Sequence, residues 1–127
     1  MNELKPAFSV TKDGEDFEVL MSFGLLNELT SLIGDPARCA AIYFNPVLRE
    51  QVLVAVLSQR DKKGKIISPI ENVTDVDVPL DQIEELIAWV VEHCLGFFAR
   101  SLQRVMGMKE QLTEMEGLVS SLPGSKA

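Results

Sequence analysis

The sequence predicts a mainly helical fold in which an N-terminal β-hairpin packs on a bundle of about four helices, the last of them long. Apolar residues alternate along residues 7–21, as in strands, and later recur every three or four residues, as in helices. The longest helical stretch runs from Pro79 to Ser120. Hydrophobic residues make up 46% of the 127 residues, so the chain can bury a core. We expect a single domain over residues 1–119 and a flexible tail over residues 120–127.

The alternating segment predicts a β-hairpin whose apolar residues share one face. These residues are Phe8, Val10, Phe17, Val19 and Met21. Asp13-Gly14 lies between the two strands, and this pair readily supplies the positive φ angles of a tight turn. A lone hairpin is marginally stable in water, so we expect its phenylalanine-bearing face to pack on the helices that follow.

Three helices are predicted after the hairpin, and each begins at a side chain that can cap its first turn. In two of them a proline follows the capping residue. The start signals are Ser22, Asp35-Pro36 and Asn45-Pro46. Gly34 stands where the first helix would stop. The third helix, from Pro46 to Leu57, is apolar over much of its circumference. We expect it to be the central helix or to meet a partner on its second face.

Helical periodicity disappears between Arg60 and Val78. Residues 60–65 form a charged turn, and residues 68–78 predict an extended or mobile loop whose length favours function or disorder. An acidic run begins in this loop: Glu71, Asp75, Asp77, Asp81, Glu84 and Glu85. It lacks the glycine and the distal glutamate of an EF-hand loop. We therefore interpret these residues as carboxylates that are favoured near the positive end of the next helix. A cation site and an acidic docking surface are the alternatives.

The segment that begins at Pro79 predicts a long fourth helix. Its main apolar positions step by three and four residues, as in a coiled coil: Leu80, Ile83, Ile87, Val90, Cys94 and Phe97. Gly107 is expected to bend or interrupt the helix, and the apolar spacing resumes at Leu112 and continues through Leu118 and Val119. Without a break the helix would be about 60 Å long at about 1.5 Å per residue. A helix of that length needs a partner, so we predict self-association.

Net charge limits the classes of partner that we expect, and hydropathy indicates the cellular compartment. Acidic residues outnumber basic ones, 19 to 12, which gives a formal net charge of -7. This charge repels phosphate backbones and anionic lipid headgroups, so neither nucleic acid nor a membrane is an expected partner. No signal peptide is indicated, and no stretch reaches the roughly 20 apolar residues that span a bilayer. We expect a cytoplasmic protein.

No catalytic motif is visible in the sequence. His93, the one histidine, neighbours Cys94, but adjacent residues of a helix point about 100° apart and do not form a nucleophile–base pair. Cys39 and Cys94 have no motif spacing, so we expect two buried thiols and no disulfide. Ligands are too few for a zinc site, and phosphate-binding and nucleophile-elbow motifs are missing. We expect no enzyme activity, no metal and no cofactor.

The methionine and phenylalanine residues of the long helix predict a surface that binds a partner. The predicted partner-binding residues are Val90, Phe97, Phe98, Leu102 and Met106. Methionine repacks at little cost, so such a surface suits an apolar helix of another protein. The alternative is that the same residues belong to the core.

Several short sequence segments follow one another in a characteristic order. A Phe-x-Val strand with Asp13-Gly14 precedes a helix entry at residues 21–26, a helix end and turn at residues 57–65, the acidic loop, and residues 89–98. In this order the chain resembles the tail assembly chaperones of long-tailed bacteriophages.

The resemblance implies a mainly helical protein that self-associates and coats the tape measure protein in the host cytoplasm. It would keep that client soluble while the tail tube polymerises around it. A frameshifted, extended form would recruit tail tube protein through an extra domain. Two other classes stay open: a small acidic secretion-system chaperone for an effector protein, and an acidic inhibitor that mimics nucleic acid. A neighbouring tape measure gene would support the phage chaperone, and a neighbouring effector gene would support the secretion-system chaperone.

Overall fold

The computed structural model describes residues 4–121, with side chains as far as Gly117. The fold is mainly helical, with an N-terminal hairpin and a long C-terminal helix, as the sequence predicts. The elements are β1 Ala7–Lys12, β2 Glu15–Leu20, α1 Phe23–Ile33, α2 Pro46–Leu57, β3 Gln59–Arg60, β4 Ile66–Ser68 and α3 Leu80–Ser121. Three 3-10 turns complete the described part of the chain, at Pro36–Arg38, Ala40–Tyr43 and Val73–Asp75. By its internal contacts the chain divides into two units, Met1–Gly96 and Phe97–Ala127.

Strands β1 and β2 form the predicted antiparallel hairpin. Asp13 and Gly14 both have positive φ, 53° and 81°, so this pair supplies the tight turn. Val10 and Val19, on the predicted apolar face, are buried. The hairpin is therefore confirmed in its position, its turn and its inward face.

The hairpin and the residues before it are joined to α3. The ring of Phe8 lies 5.7 Å from that of Trp89, centroid to centroid. Trp89 Nε1 donates a hydrogen bond to the carbonyl oxygen of Lys5 at 2.8 Å. At the other end of the hairpin, the backbone N–H of Thr11 donates to the side-chain oxygen of Gln82. These contacts cover the apolar face that an isolated hairpin would expose.

Helix α1 begins and ends at its predicted residues. The Ser22 hydroxyl accepts a hydrogen bond from the N–H of Leu25 at 3.2 Å, which satisfies one of the free donors of the first turn. The helix ends at Gly34, whose φ of +88° favours glycine. Its buried residues recur at intervals of four: Leu25, Leu29 and Ile33.

The second predicted helix is instead the pair of 3-10 turns between Pro36 and Tyr43. Asp35 caps the first turn as expected, since its side chain accepts from the N–H of Arg38. The residue before a proline is disfavoured in the α conformation, and Asn45 is accordingly extended. The stretch before it is too short for an α-helix with its connection, and 3-10 turns suit pieces of three or four residues.

Helix α2 is the central helix of the first unit. The Asn45 side chain accepts hydrogen bonds from the N–H groups of Val47 and Leu48, and Pro46 occupies the first helical position. Half of its residues are buried: Leu48, Val52, Leu53, Ala55, Val56 and Leu57. Most of the apolar circumference of this helix therefore belongs to the core, and Val47 in its first turn stays exposed.

The charged turn predicted at residues 60–65 is a small hairpin formed by β3 and β4. Arg60 holds it in place: its guanidinium donates to the carbonyl oxygens of Ala55 and Gly64 and pairs with the carboxylate of Glu28. Gly64, with φ of +93°, lies against Gly24 at the start of α1, where an added Cβ would come within 2.9 Å of the Gly24 Cα. This turn is fixed by close packing against α1.

Residues 68–78 form a loop that is anchored to other parts of the first unit. The prediction that this loop is mobile is therefore wrong. The N–H of Val73 donates to a carboxylate oxygen of Glu50 in α2 at 2.9 Å. Asp77 and Asp13 exchange two hydrogen bonds, each of 2.8 Å, one through backbone atoms and one through the Asp13 side chain. The sequence pattern did not show these partners because they lie far away along the chain.

Helix α3 begins at Leu80, directly after Pro79, and continues to Ser121. The predicted interruption at Gly107 is wrong: α3 continues through this residue, because the propensity penalty of one glycine is modest and does not end a helix. Within the first unit the helix buries Leu86, Ile87, Trp89, Val90, Val91 and Cys94. Of the predicted tail, residues 120 and 121 belong to α3, and residues 122–127 lie outside the described part of the chain, as do the side chains of Leu118 and Val119.

Candidate protein-binding surface

The second unit exposes a row of large apolar side chains along α3. Every residue from 102 to 117 is exposed. Six apolar side chains among them each expose between 56% and 59% of their surface. They are Leu102, Val105, Met106, Met108, Leu112 and Met115, and we call them the C-terminal stripe. Contiguous exposed apolar surface is typical of sites where another molecule binds, so the stripe is a candidate binding surface.

Four residues of the stripe follow the repeat of a coiled coil. Val105, Met108, Leu112 and Met115 step by three, four and three residues, and we call this row the seam. Phe98 continues it one heptad earlier. Leu102 and Met106 lie to one side of this row on the helix surface, since each residue advances about 100° around the axis. The stripe is therefore wider than a single coiled-coil contact requires.

The predicted partner-binding residues fall into three environments. Leu102 and Met106 are exposed in the stripe. Phe97 and Phe98 are half-buried, and their rings lie 6.0 Å apart in an edge-to-face arrangement. Val90 is 0% exposed and belongs to the core of the first unit, so its assignment to the partner surface is wrong. Its spacing between Ile87 and Cys94 continues a stripe that is buried at that point.

The apolar spacing of the helix predicts a face that includes Leu112, but none of the four seam residues is among the predicted partner-binding residues. The helical period gave the direction in which these side chains point, but not whether another part of the chain covers them. The exposure of Val105, Met108, Leu112 and Met115 is the missing observation.

A second apolar patch, which was not among the predicted sites, surrounds the start of α2. Tyr43, Phe44 and Val47 expose 44%, 84% and 69% of their surfaces. Phe44 precedes the capping residue Asn45, a position whose apolar side chain often packs on the fourth helical residue. That residue is Arg49, so Phe44 lacks the usual apolar partner there. This mismatch is the signal in the sequence that points to the patch.

The histidine and the two cysteines of the chain are engaged in packing within the first unit. His93 Nε2 lies 2.7 Å from the Lys5 carbonyl oxygen, and its ring meets Trp89 edge-on at 4.7 Å. Cys39 and Cys94 are free thiols and buried, as predicted. Burial, with a smaller effect of the nearby Cys39 thiol, raises the pKa of Cys94 to about 12. Cys94 is therefore a protonated core thiol at neutral pH.

The acidic run forms no metal site within residues 4–121, where no group of three or more metal-ligating side chains is placed to hold an ion. Asp75 instead accepts hydrogen bonds from the N–H groups of Glu71 and Asn72 and so closes a 3-10 turn. Asp81 lies in the first turn of α3, where a carboxylate is favoured by the helix dipole.

Comparisons with protein families, with curated proteins and with solved structures found no match to this chain. In the described part of the chain no single helix has the length and apolar character of a membrane span. The segments Pro36–Tyr43 and Pro46–Leu57 reach that length and composition only together, with a bend of 94° between them.

Proposed function

We propose that the protein is a chaperone that self-associates and binds apolar helical segments of a tape measure protein, without a catalytic step. It would keep this client soluble in the host cytoplasm while a phage tail tube polymerises around it. A frameshifted, extended form would bring tail tube protein to the complex. The observation that carries the proposal is the C-terminal stripe, whose six large apolar side chains are each more than half exposed.

The physical argument is the free energy of apolar burial. Covering exposed apolar surface contributes about 25 cal/mol per Å². Three of the six stripe residues are methionine, namely Met106, Met108 and Met115. Methionine side chains adapt to differently shaped partners, which suits a chaperone that must cover many positions along one client.

The stripe offers room for both a second copy and a client. The seam suits a coiled-coil contact with another copy. Phe97 lies about 180° from Met106 around the helix axis, so the client face consists of Phe98, Leu102 and Met106, which begin one heptad earlier than the seam and extend to one side of it. Binding through these residues should depend on apolar burial and only weakly on salt.

The test replaces Leu102 and Met106 together by Gln and measures capture of the co-expressed tape measure protein. Both side chains are more than half exposed, so the variant should keep the circular dichroism spectrum of the wild type. The matched control replaces Phe44 and Val47 by Gln, which removes two apolar side chains elsewhere that are even more exposed. We expect the first variant to lose the client and the control to keep it.

Two results would contradict the proposal. If the folded Leu102/Met106 variant still solubilises the client, the client face is wrong, and binding that weakens with salt would then indicate the acidic loop over residues 71–81. If the wild type captures the product of a neighbouring effector gene and no tape measure protein, the protein is a secretion-system chaperone instead.

A further inference from the structure

We infer that two copies of this chain pair through their C-terminal stripes in antiparallel orientation, and that the order of charges along α3 selects this orientation. The inference rests on the self-association in the proposed function. It adds the identity of the segment that covers the seam and the direction in which that segment runs.

Charge is divided by sign along residues 97–121, the part of the second unit that belongs to α3. Residues 97–109 contain three basic side chains and no acidic one: Arg100, Arg104 and Lys109. Residues 110–121 contain three acidic side chains and no basic one: Glu110, Glu114 and Glu116. The sign therefore changes once, between Lys109 and Glu110, close to the middle of the seam.

This order of charges is unfavourable for a single helix. Arg100 and Arg104 are four residues apart, as are Glu110 and Glu114, and like charges at this spacing destabilise a helix. Acidic side chains toward the C-terminal end of a helix also oppose its dipole. Among the described residues of the second unit there is no salt bridge, and the one ion pair of the described chain, between Arg60 and Glu28, lies in the first unit.

A second copy in antiparallel orientation turns the same order into an attraction. It brings the acidic half of one helix beside the basic half of the other, twice, by symmetry. A parallel pair would place basic beside basic and acidic beside acidic. Like charges across a helical pair act against the wrong alignment, as they do between coiled coils that select their partners.

The seam supplies the contact that the charges orient. Val105, Met108, Leu112 and Met115 are each 56–59% exposed and give the two apolar positions per heptad of a two-stranded coiled coil. They lie on both sides of the point where the charge changes sign. An antiparallel pair can therefore align its apolar seams and its opposite charges at the same time.

The experiment uses a charge-swapped full-length variant that carries Arg100→Glu, Arg104→Glu, Lys109→Glu, Glu110→Lys, Glu114→Lys and Glu116→Lys. The swap keeps the net charge and the seam and reverses only the order of signs. It also places acidic side chains before basic ones, which agrees with the helix dipole, so the helix should be retained. Tagged wild type and swapped variant are mixed, unfolded and refolded together, and their dimers are counted by native mass spectrometry.

Antiparallel pairing predicts sorting, because each chain is complementary to its own kind. Mixed dimers should fall to about a tenth or less of the statistical proportion, which corresponds to a difference of about 1.4 kcal/mol. The sorting should weaken at about 1 M salt, where the Debye length is about 3 Å. The positive control mixes two further variants, one with only the three basic residues reversed and one with only the three acidic residues reversed. The first is acidic along the whole segment and the second is basic, so they must form mixed dimers in either orientation.

Mixed dimers at or above the statistical proportion would overturn the antiparallel assignment while leaving self-association intact. A wild type that is monomeric at tens of micromolar would overturn both the inference and the self-association in the proposed function. The two failures are therefore distinguishable in the same set of spectra.

Discussion

The two units of the chain share one helix but treat its apolar residues in opposite ways. In the first unit Val90 is 0% exposed, whereas in the second unit Met108 is 59% exposed, although both belong to α3. Apolar spacing in a helix therefore indicates a face that will be covered, but whether by the same chain or by another depends on the other elements available. The first unit supplies those elements, and we propose that a partner supplies them for the second.

The units also differ in how their residues are held. The first unit is tied together by contacts between residues far apart in sequence, such as Trp89 with Lys5 and Arg60 with Glu28. In the second unit, by contrast, the Thr113 hydroxyl donates a hydrogen bond to the carbonyl oxygen of Lys109, only one helical turn away. Substitutions should therefore affect folding in the first unit and association in the second.

The largest difference is expected from placing a charge at equivalent apolar positions. Val90→Asp puts an unpaired carboxylate in a fully buried site and should cost about 4 kcal/mol or more, enough to unfold the first unit. Met108→Asp should leave the thermal unfolding of the first unit unchanged and abolish self-association. Circular dichroism melts with light scattering measure both quantities, and equal losses of folding in the two variants would remove the distinction between the units.

Glycine substitutions should change stability in opposite directions. Gly64→Ala should destabilise the first unit by about 3 kcal/mol, because the residue has a φ of +93° and the new Cβ would press on Ser22 and Gly24. Gly107→Ala meets nothing within 4 Å and should stabilise α3 by about 0.8 kcal/mol. Urea unfolding gives the first value and helix content gives the second. A stabilising Gly64→Ala would show that the turn does not pack on α1 as described.

Arginine substitutions compare an anchored guanidinium with an exposed one. Arg60→Lys should cost about 2 kcal/mol, because lysine cannot donate simultaneously to Ala55, Gly64 and Glu28 from one planar group. Arg104→Lys keeps the positive charge on the exposed helix and should change neither unfolding nor self-association measurably. Urea titrations of both variants provide the check, and an Arg60→Lys protein as stable as the wild type would contradict the anchoring role.

A smaller effect is expected from acid on the β3–β4 turn. Hydrogen bonds from backbone N–H groups, that of Lys65 first, lower the pKa of Asp61 below its ordinary value of 3.8. A lowered folded-state pKa gives a stabilising contribution that is present above pH 3.8 and is lost as the pH falls through the folded-state pKa. Asp61→Asn should therefore reduce stability at pH 7 and differ less from the wild type at the lowest pH. A constant difference between the two proteins from pH 7 to pH 2 would contradict this assignment.

The local signals in the sequence predicted much of the first unit. The Asp13-Gly14 turn and the cap at Ser22 depend on neighbouring residues, and the structure contains both as expected. The β3–β4 hairpin was missed because it is held by Arg60, whose carboxylate partner Glu28 lies 32 positions earlier in the chain. A window of sequence cannot show such a contact.

The candidate surface was predicted in part, for a related reason. Periodicity placed Leu102 and Met106 on an apolar face, and both are exposed. The same periodicity selected Val90, which is buried, because a repeat does not show where the covering elements end. Phe44 escaped notice since a single aromatic residue before a helix cap is usually packed on that helix.

Light scattering on the wild type beside a Met108→Asp/Leu112→Asp double variant, at tens of micromolar, tests most directly the claim that the seam is covered by a second copy. The account predicts a wild-type mass at least twice the chain mass of 14.1 kDa. It predicts a variant mass equal to that of one chain, with the first unit unfolding at the same temperature in both proteins. A monomeric wild type, or a variant that associates as strongly as the wild type, would contradict it.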